Sequence, residues 1–414
     1  MKCEAIEEIR KVLVDELKDY EGEPVLLAID SKILSMILFD TYKKDNSEYK
    51  KFSEELNSVI KKIDFSNVSF DNFYASSVNF TGLKGVKINP QTVARKNLYY
   101  SCFCGVTFIG PFDGVSITNS RFTGSKGAVI NPQTIRNKDM HGAILSSVIF
   151  IGPFDKVIIK YADFTGSKGA VINPEMVEDK SLEGVNLCDT VVIGSFKNVK
   201  LYDTCFAGAK SKNSEYIKIN PQKVLKKEII KCILKGVEFI GPFDGVYCGY
   251  NIFDGSIGAV INPETLRNTR LCGNKFADVT FDGSFDGKEI HGVSFEGSTG
   301  AAINPQKLES KNLYSCNFSN VTFTGSFDGC RIYNSSFEGS NGALIDPQTI
   351  YDKDLNQVNL KDAIVVDDFE GVETCGMKYD EELLIDRDNL NNEECKKYCI
   401  GKIKESVRRN NSNI

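Results

Sequence analysis

The sequence predicts a mainly β fold: a solenoid of four-sided cross-section with small helical segments at both ends. Three observations carry that prediction. A 42-residue unit recurs seven times, marked by Ile-Asn-Pro at Ile88, Ile130, Ile172, Ile219, Ile261 and Ile303, then by Ile345-Asp346-Pro347; one step, from Ile172 to Ile219, is 47 residues. A column of Phe80, Phe122, Phe164, Phe206, Phe253, Phe295 and Phe337 keeps the same period. Within a unit the apolar residues fall about five apart, as in Ile135, Met140, Leu145, Phe150, Phe154, Ile159, Phe164 and Ile172. Steps of five match neither a helical period of 3.6 nor strand alternation. They match one inward residue on each side of a polygonal coil, so eight anchors make two coils of four sides. Units of this kind stack, because none can bury a core alone.

Taken in order, residues 1–63 read as a helical N-terminal cap or small domain. Ile6, Ile9, Val12, Leu13 and Leu17 form one stripe, and Phe52, Leu56, Val59, Ile60 and Ile63 another. Residues 64–376 hold the seven units. Two residues before many anchors sits something small, such as Ser120, Ala143, Ala162 or Cys316, because the large anchor already fills the interior. Ten of the eleven prolines fall at two recurring corners, where Pro sets φ and the preceding Asn can bond its own backbone. Residues 377–414 are expected to form a helical C-terminal cap, with Cys395, Cys399, Ile403 and Val407 spaced by four. A solenoid end exposes core and an unpaired strand edge, so both ends need covers. A dimerising or partner-binding role for the terminal helices is the alternative.

Small residue, Asp or Asn, then Leu or Phe is the pattern at Ala162-Asp163-Phe164, Val185-Asn186-Leu187 and Cys316-Asn317-Phe318. From about Phe65 to Val372 the chain resembles the pentapeptide-repeat family. The resemblance implies a right-handed quadrilateral β-helix, and some members protect DNA gyrase and topoisomerase IV by imitating duplex DNA. Two departures recur in each unit: a four-residue step at Gly-Pro-Phe-Asp, and an eight-residue step through Gly-x-x-Gly-Ala-x-Ile-Asn-Pro.

Composition bounds the function. With 41% hydrophobic and 26% charged residues the chain is expected to fold and be soluble. The stretch Val25–Phe39 contains Asp30 and Lys32 and is too short to span a bilayer, so no membrane contact is expected. Glu4, Glu7 and Glu8 stand where a secretory leader would be apolar. Thirteen scattered cysteines suggest a reducing cytoplasm rather than a disulfide framework. Cys102 with Cys104, or Cys395 with Cys399, could hold metal, but only two histidines are available to complete a site. No cofactor, no metal and no catalytic residue are expected.

The candidate functional residues lie on the surface. Twenty-three of 27 phenylalanines fall at inward positions, which leaves no stacking platform for nucleic acid. Lys96, Lys138, Lys180, Lys227, Lys311 and Lys353 form a column broken at Thr269. The column could track a polyanion, or its stems could cover the long corner while the ammonium groups reach loop carbonyls. Beside it stand Gln91, Gln133, Glu175, Gln222, Glu264, Gln306 and Gln348, expected to stack as scaffold. Asp113, Asp155, Asp244, Asp286 and Asp328 are expected to bond backbone N–H groups in their turns. The 47-residue step places five extra residues in a loop over 207–216, with Lys210, Lys212, Asn213 and Tyr216 as a candidate partner-binding set, tolerated drift being the alternative.

Charge is uneven along the chain: +2 over residues 64–199, +6 over 200–235 and −11 over 236–376. The functional expectation is a non-enzymatic scaffold that binds an unidentified protein through its outer faces and that loop. The alternative is a DNA-mimicking gyrase-protection protein. A homodimer through the terminal helices is a further expected mode, with no direct nucleic-acid contact.

Overall fold

The computed structural model describes residues 2–17, 25–26, 58–379 and 384–385. These fall into two compact units, Met1–Ser195 with Gly208–Ser214, and Phe196–Ala207 with Glu215–Ile414. Each is a β-solenoid whose strands are two or three residues long and pair in parallel.

In the first unit the five-residue beat closes into a four-sided coil. Met140, Leu145, Phe150 and Phe154 take one inward position per side, and Ile159, Phe164, Ile172 and Val177 repeat them in the next coil; all eight are buried. The coils are tied by backbone bonds: Met140 N–H to Ile158 O at 2.9 Å, Leu145 to Asp163 O and Phe150 to Lys168 O at 2.8 Å, and Glu178 to Val157 O at 3.1 Å. Corners close locally. The Met140, Leu145, Phe154 and Ile159 carbonyls accept from the N–H three residues on, at 3.0–3.1 Å. The third residue of such a turn has positive φ, 63° at Gly142 and 58° at Tyr161, as a type II turn requires. A short extended stretch plus one tight turn is what sets the period at five.

Successive outward residues on one side, Asn79, Cys102, Arg121, Ile144 and Asp163, bridge in steps that alternate between 23 and 19 residues. The longer coil contains the eight-residue step. Gly169 marks its bend: φ is 73°, and a Cβ there would lie 2.5 Å from Phe150 O of the coil below. Ser120, Ala143 and Ala162 are buried as the second, small inward residue.

At the N-terminal end Lys2–Leu17 is an α-helix, free of Gly and Pro. Its expected stripe holds at Leu17 and is corrected at Val12; the side chains of Ile6 and Ile9 lie outside those described. Val12 is 55% exposed, whereas Val14 and Leu17, three apart on one face, are buried. Lys62 Nζ donates to Leu17 O at 2.7 Å. Val25–Leu26 pairs in parallel with Ile63–Asp64, so a strand as well as a helix lies against the first coil. Val59, Ile60 and Ile63 are buried; Phe52 and Leu56 lie outside the described residues.

The second unit follows the same scheme. Leu201–Tyr202, Glu228–Ile230 and Tyr247–Gly249 form one three-stranded ladder, and Ile364–Val366 pairs with Leu344–Ile345 and Leu384–Ile385. Its small inward position twice holds an asparagine. The Asn251 amide donates to Ile229 O at 2.7 Å, and Asn274 Oδ1 accepts from Asn251 N–H at 2.8 Å. Each buried amide is thus satisfied by backbone. Of the 23 phenylalanines expected inward, all are buried except Phe369, which is half-buried against Tyr379. The helix expected around Cys395–Val407 lies outside the described residues.

Candidate functional site

The lysine column is built into the corners. Asn89, Asn131, Asn220 and their equivalents accept the N–H of the residue two on at 3.0–3.1 Å, and Asp346 does so at 2.9 Å. That turn aims the following Gln at the next coil. Gln91 Nε2 donates to Pro111 O at 3.0 Å and Asp113 O at 2.9 Å, and Gln133 does the same to Pro153 O and Asp155 O. The glutamine oxygen then accepts from the lysine five residues later: Lys96, Lys138 and Lys311 at 2.6 Å, Lys353 at 2.7 Å. Each lysine therefore holds an amide that clamps two coils.

Two expectations change here. The glutamines do not stack on one another, because their equivalents lie two coils apart; they reach carbonyls one coil away. The Asp113, Asp155, Asp244 and Asp328 carbonyl oxygens receive the amide contact, rather than the carboxylates taking backbone N–H groups. Glu175 replaces Gln five residues before Lys180 and accepts from the Ser195 hydroxyl, while Lys180 is exposed and Lys227 half-buried.

The break at Thr269 is filled from the neighbouring coil. Lys288, only 6% exposed, sends its ammonium to Leu266 O and Asn268 O, both at 3.1 Å. Burial pulls its pKa down, against the pull of the Glu309 and Glu264 carboxylates. Sequence spacing missed Lys288 because it stands in an otherwise apolar column of Phe73, Val115, Val157, Val199, Val246 and Cys330. The signal available was the simultaneous loss of Lys at Thr269 and of Gln at Glu264.

The extra loop is also corrected. Lys210 and Ser211 pair with Val191 and Val192 as part of the wall, in the place of Lys168, which bridges Ile149. Lys210 thus does not project from the loop. Lys212 and Asn213 are exposed beyond it; Tyr216, half-buried, belongs to the second unit.

Lys210 instead closes a second lysine column on the first unit. Lys84, Lys126, Lys168 and Lys210 bridge or pair with Asp64, Thr107, Ile149 and Val191 on one side of the coil, and Lys87 lies in the same ladder. All five are exposed, and none takes part in a salt bridge among the described residues. Between them the wall exposes Ile109 (62%), Val129, Ile149, Ile151 (65%) and Val171. In the second unit the equivalent positions hold Ile257, Thr299 and Asn341, and Lys218 is paired with Glu238 at 3.4 Å. A cationic wall with an apolar middle can accept an acidic surface.

A groove of about 420 Å³ on the second unit is lined by Lys275, Ser294, Asn317, Ser336 and Asn359 among short residues, with no carboxylate. His141 packs edge-on to Tyr161 at 5.4 Å. No helix among the described residues is long and apolar enough to cross a membrane.

The beat and the coil define the class: a four-sided β-solenoid, the fold that the resemblance to pentapeptide-repeat proteins implied. No family model and no curated protein matches the chain. Among solved structures it is similar to HetL, a pentapeptide repeat protein involved in heterocyst differentiation regulation from the cyanobacterium Nostoc sp. The two are 13% identical, with 68% of this chain and 89% of HetL covered and a TM-score of 0.19. Trypsin-treated QnrB1, a plasmid-mediated fluoroquinolone resistance protein, is 16% identical with 71% and 95% covered and a TM-score of 0.13.

Proposed function

We propose that this chain is a non-enzymatic solenoid scaffold that binds an acidic protein on the lysine-edged wall of its first unit. The observation that carries this reading is the set of five exposed lysines around Val129, Ile149 and Val171, none in a salt bridge among the described residues, with the Asp64 carboxylate near Lys84 and Lys87. A structural lysine column spends its ammonium groups on the fold, as Lys96 and Lys138 do; this second column leaves them to solvent. Lys212 and Asn213 extend the same basic edge. Surface attraction of this kind decays within about 8 Å at physiological ionic strength, so it steers and orients a partner, while the apolar middle supplies affinity.

The test compares capture from a native extract by the wild-type protein and by a Lys126→Glu, Lys168→Glu, Lys210→Glu variant, at low and high salt. One partner, acidic at the contact, should be lost with the variant and weakened by salt. Capture that ignores both changes would sink the reading.

Topoisomerase protection by DNA mimicry is the second reading, and the −11 balance over residues 236–376 is the observation in its favour. Magnitudes weigh against it. Those residues span roughly 32 Å at about 4.8 Å per coil, over which duplex DNA would carry about 19 charges. The −11 balance, little more than half of that, already subtracts pairs such as Glu338 with Lys361 (3.0 Å) and Glu289 with Arg270 (2.8 Å). A gyrase supercoiling assay with added protein separates the two readings: protection from a quinolone favours mimicry, no effect favours the scaffold.

A further inference from the structure

Three metal-ligating side chains meet on the second unit, away from the lysine wall. Cys272 lies in one coil, and Glu289 and His291 lie 17 and 19 residues later, directly against it in the next. Cys272 Sγ is 3.3 Å from His291 Nδ1, and Glu289 Oε1 is also 3.3 Å from that nitrogen. The three donor atoms all fall within 4.8 Å of one another. We propose that Cys272, Glu289 and His291 form a binding site for a divalent transition cation of the zinc type, with solvent at the fourth position.

The distances suit a tetrahedral ion. With Zn–S near 2.3 Å and Zn–N or Zn–O near 2.0–2.1 Å, tetrahedral angles put sulfur and nitrogen about 3.5 Å apart and nitrogen and oxygen about 3.4 Å apart. A mixed sulfur, nitrogen and oxygen set also selects a borderline cation over calcium or magnesium. Enclosure is partial. Cys272 is 7% exposed, and the Glu289 and His291 side chains are 15% and 26% exposed, which leaves one approach from solvent.

The surroundings fix two of the ligands. His291 is stacked on Tyr314 at 4.9 Å and 18°, and Tyr314 on Tyr333 at 5.0 Å and 1°, a column that locks the imidazole plane. Arg270 Nε holds Glu289 Oε2 at 2.8 Å, turning Oε1 toward the histidine. Outer contacts of this type commonly orient ligands. A nucleophilic cysteine triad is the rival chemistry, and the geometry disfavours it. A relay needs the thiol on one ring nitrogen and the carboxylate on the other; here both meet Nδ1. Three donors aimed at one point suit an ion placed among them.

The experiment uses the full-length protein, reduced, treated with a chelator and desalted, then titrated with CoCl₂ and ZnCl₂. Cobalt should produce a thiolate-to-metal absorption band that zinc abolishes. The controls matter because Cys102 Sγ and Cys104 Sγ lie 3.0 Å apart and compete for thiophilic ions. Cys272→Ser should remove the band, and His291→Gln or Glu289→Gln should weaken cobalt binding at least tenfold, each with a wild-type circular dichroism spectrum. The Cys102→Ser, Cys104→Ser double variant should keep it. A band that survives Cys272→Ser, or a wild-type protein that binds neither ion, overturns the proposal. If Cys272→Ser unfolds, the two Gln variants decide, since both side chains reach solvent.

Discussion

Replacing Phe164 with alanine tests the five-residue register at its centre. The ring is fully buried, 5.7 Å from Phe150 and 5.6 Å from Phe154 between centroids. An aromatic side chain removes about 150–250 Å² from water, which at ~25 cal/mol per Å² amounts to about 4–6 kcal/mol. The Cβ that alanine keeps and the burial already present in the unfolded chain lower this toward the ~3–5 kcal/mol usual for buried Phe→Ala. The coil has little room to collapse, because each side is pinned by backbone bonds to the coils above and below. Four residues on, Lys168 is exposed on the wall, and Lys168→Ala should change stability by no more than about 0.5 kcal/mol. Urea denaturation followed by circular dichroism measures both. A repeat array can melt in sections, so hydrogen exchange at Leu145, Phe150 and Val192 should accompany it. Equal effects of the two substitutions would refute the inward register and with it the four-sided coil.

Other outcomes follow from buried polar groups. Ser125, Ser167, Ser256, Ser298 and Ser340 repeat at one position with buried hydroxyls that meet no partner, and the equivalent residue in another repeat is Ala209. Ser298→Ala should therefore leave the thermal midpoint unchanged or raise it, by up to about 1 kcal/mol of stability; a clear drop would mean that the hydroxyl has a partner. Lys138→Met keeps the stem and removes the donor to Gln133, and should cost about 0.5–1.5 kcal/mol. Combined with Gln133→Ala it should cost less than the sum, in a double-mutant cycle by urea melts; strict additivity would dissolve the clamp. Burial pushes the Cys232, Cys248, Cys316 and Cys330 thiols up to about 12. At pH 8 these four should resist a maleimide in the native protein while exposed Cys375 reacts. Labelling of Cys248 without unfolding, read by mass spectrometry, would contradict the inward assignment.

Much of the fold was legible because a solenoid writes its core at short range. Phe122, Phe164 and Phe206 are each repeated by the same local step, so a period of five names the inward residues without any long-range information. The asparagine turns at Asn89 and Asn131 were legible for the same reason, since Asn–Pro carries its own backbone bond. The helix stripe at Val12 was misread because one helical turn offers several apolar residues, and only docking chooses among Val12, Leu13 and Val14. The loop was misplaced because an insertion shows its length in sequence, not which of its residues remain in register; pairing with Val191 keeps Lys210 in the wall.

The sequence by itself determined the beat, the number of sides per coil and the residues that face inward, since those follow from steps of five, four and eight along one chain. Only the tertiary structure decided which outward residues become neighbours. Read at the 42-residue period, Cys272 falls in a column with His141 and Tyr314, and His291 in another. Coils in fact stack at alternating steps of 19 and 23, so Cys272 meets His291, and Lys288 reaches the carbonyls left by Thr269. The inward pattern is enforced by burial in every unit, whereas outward residues are free to vary. Their meetings depend on corner lengths that turn the coil, and those lengths acquire meaning only when one coil lies on the next.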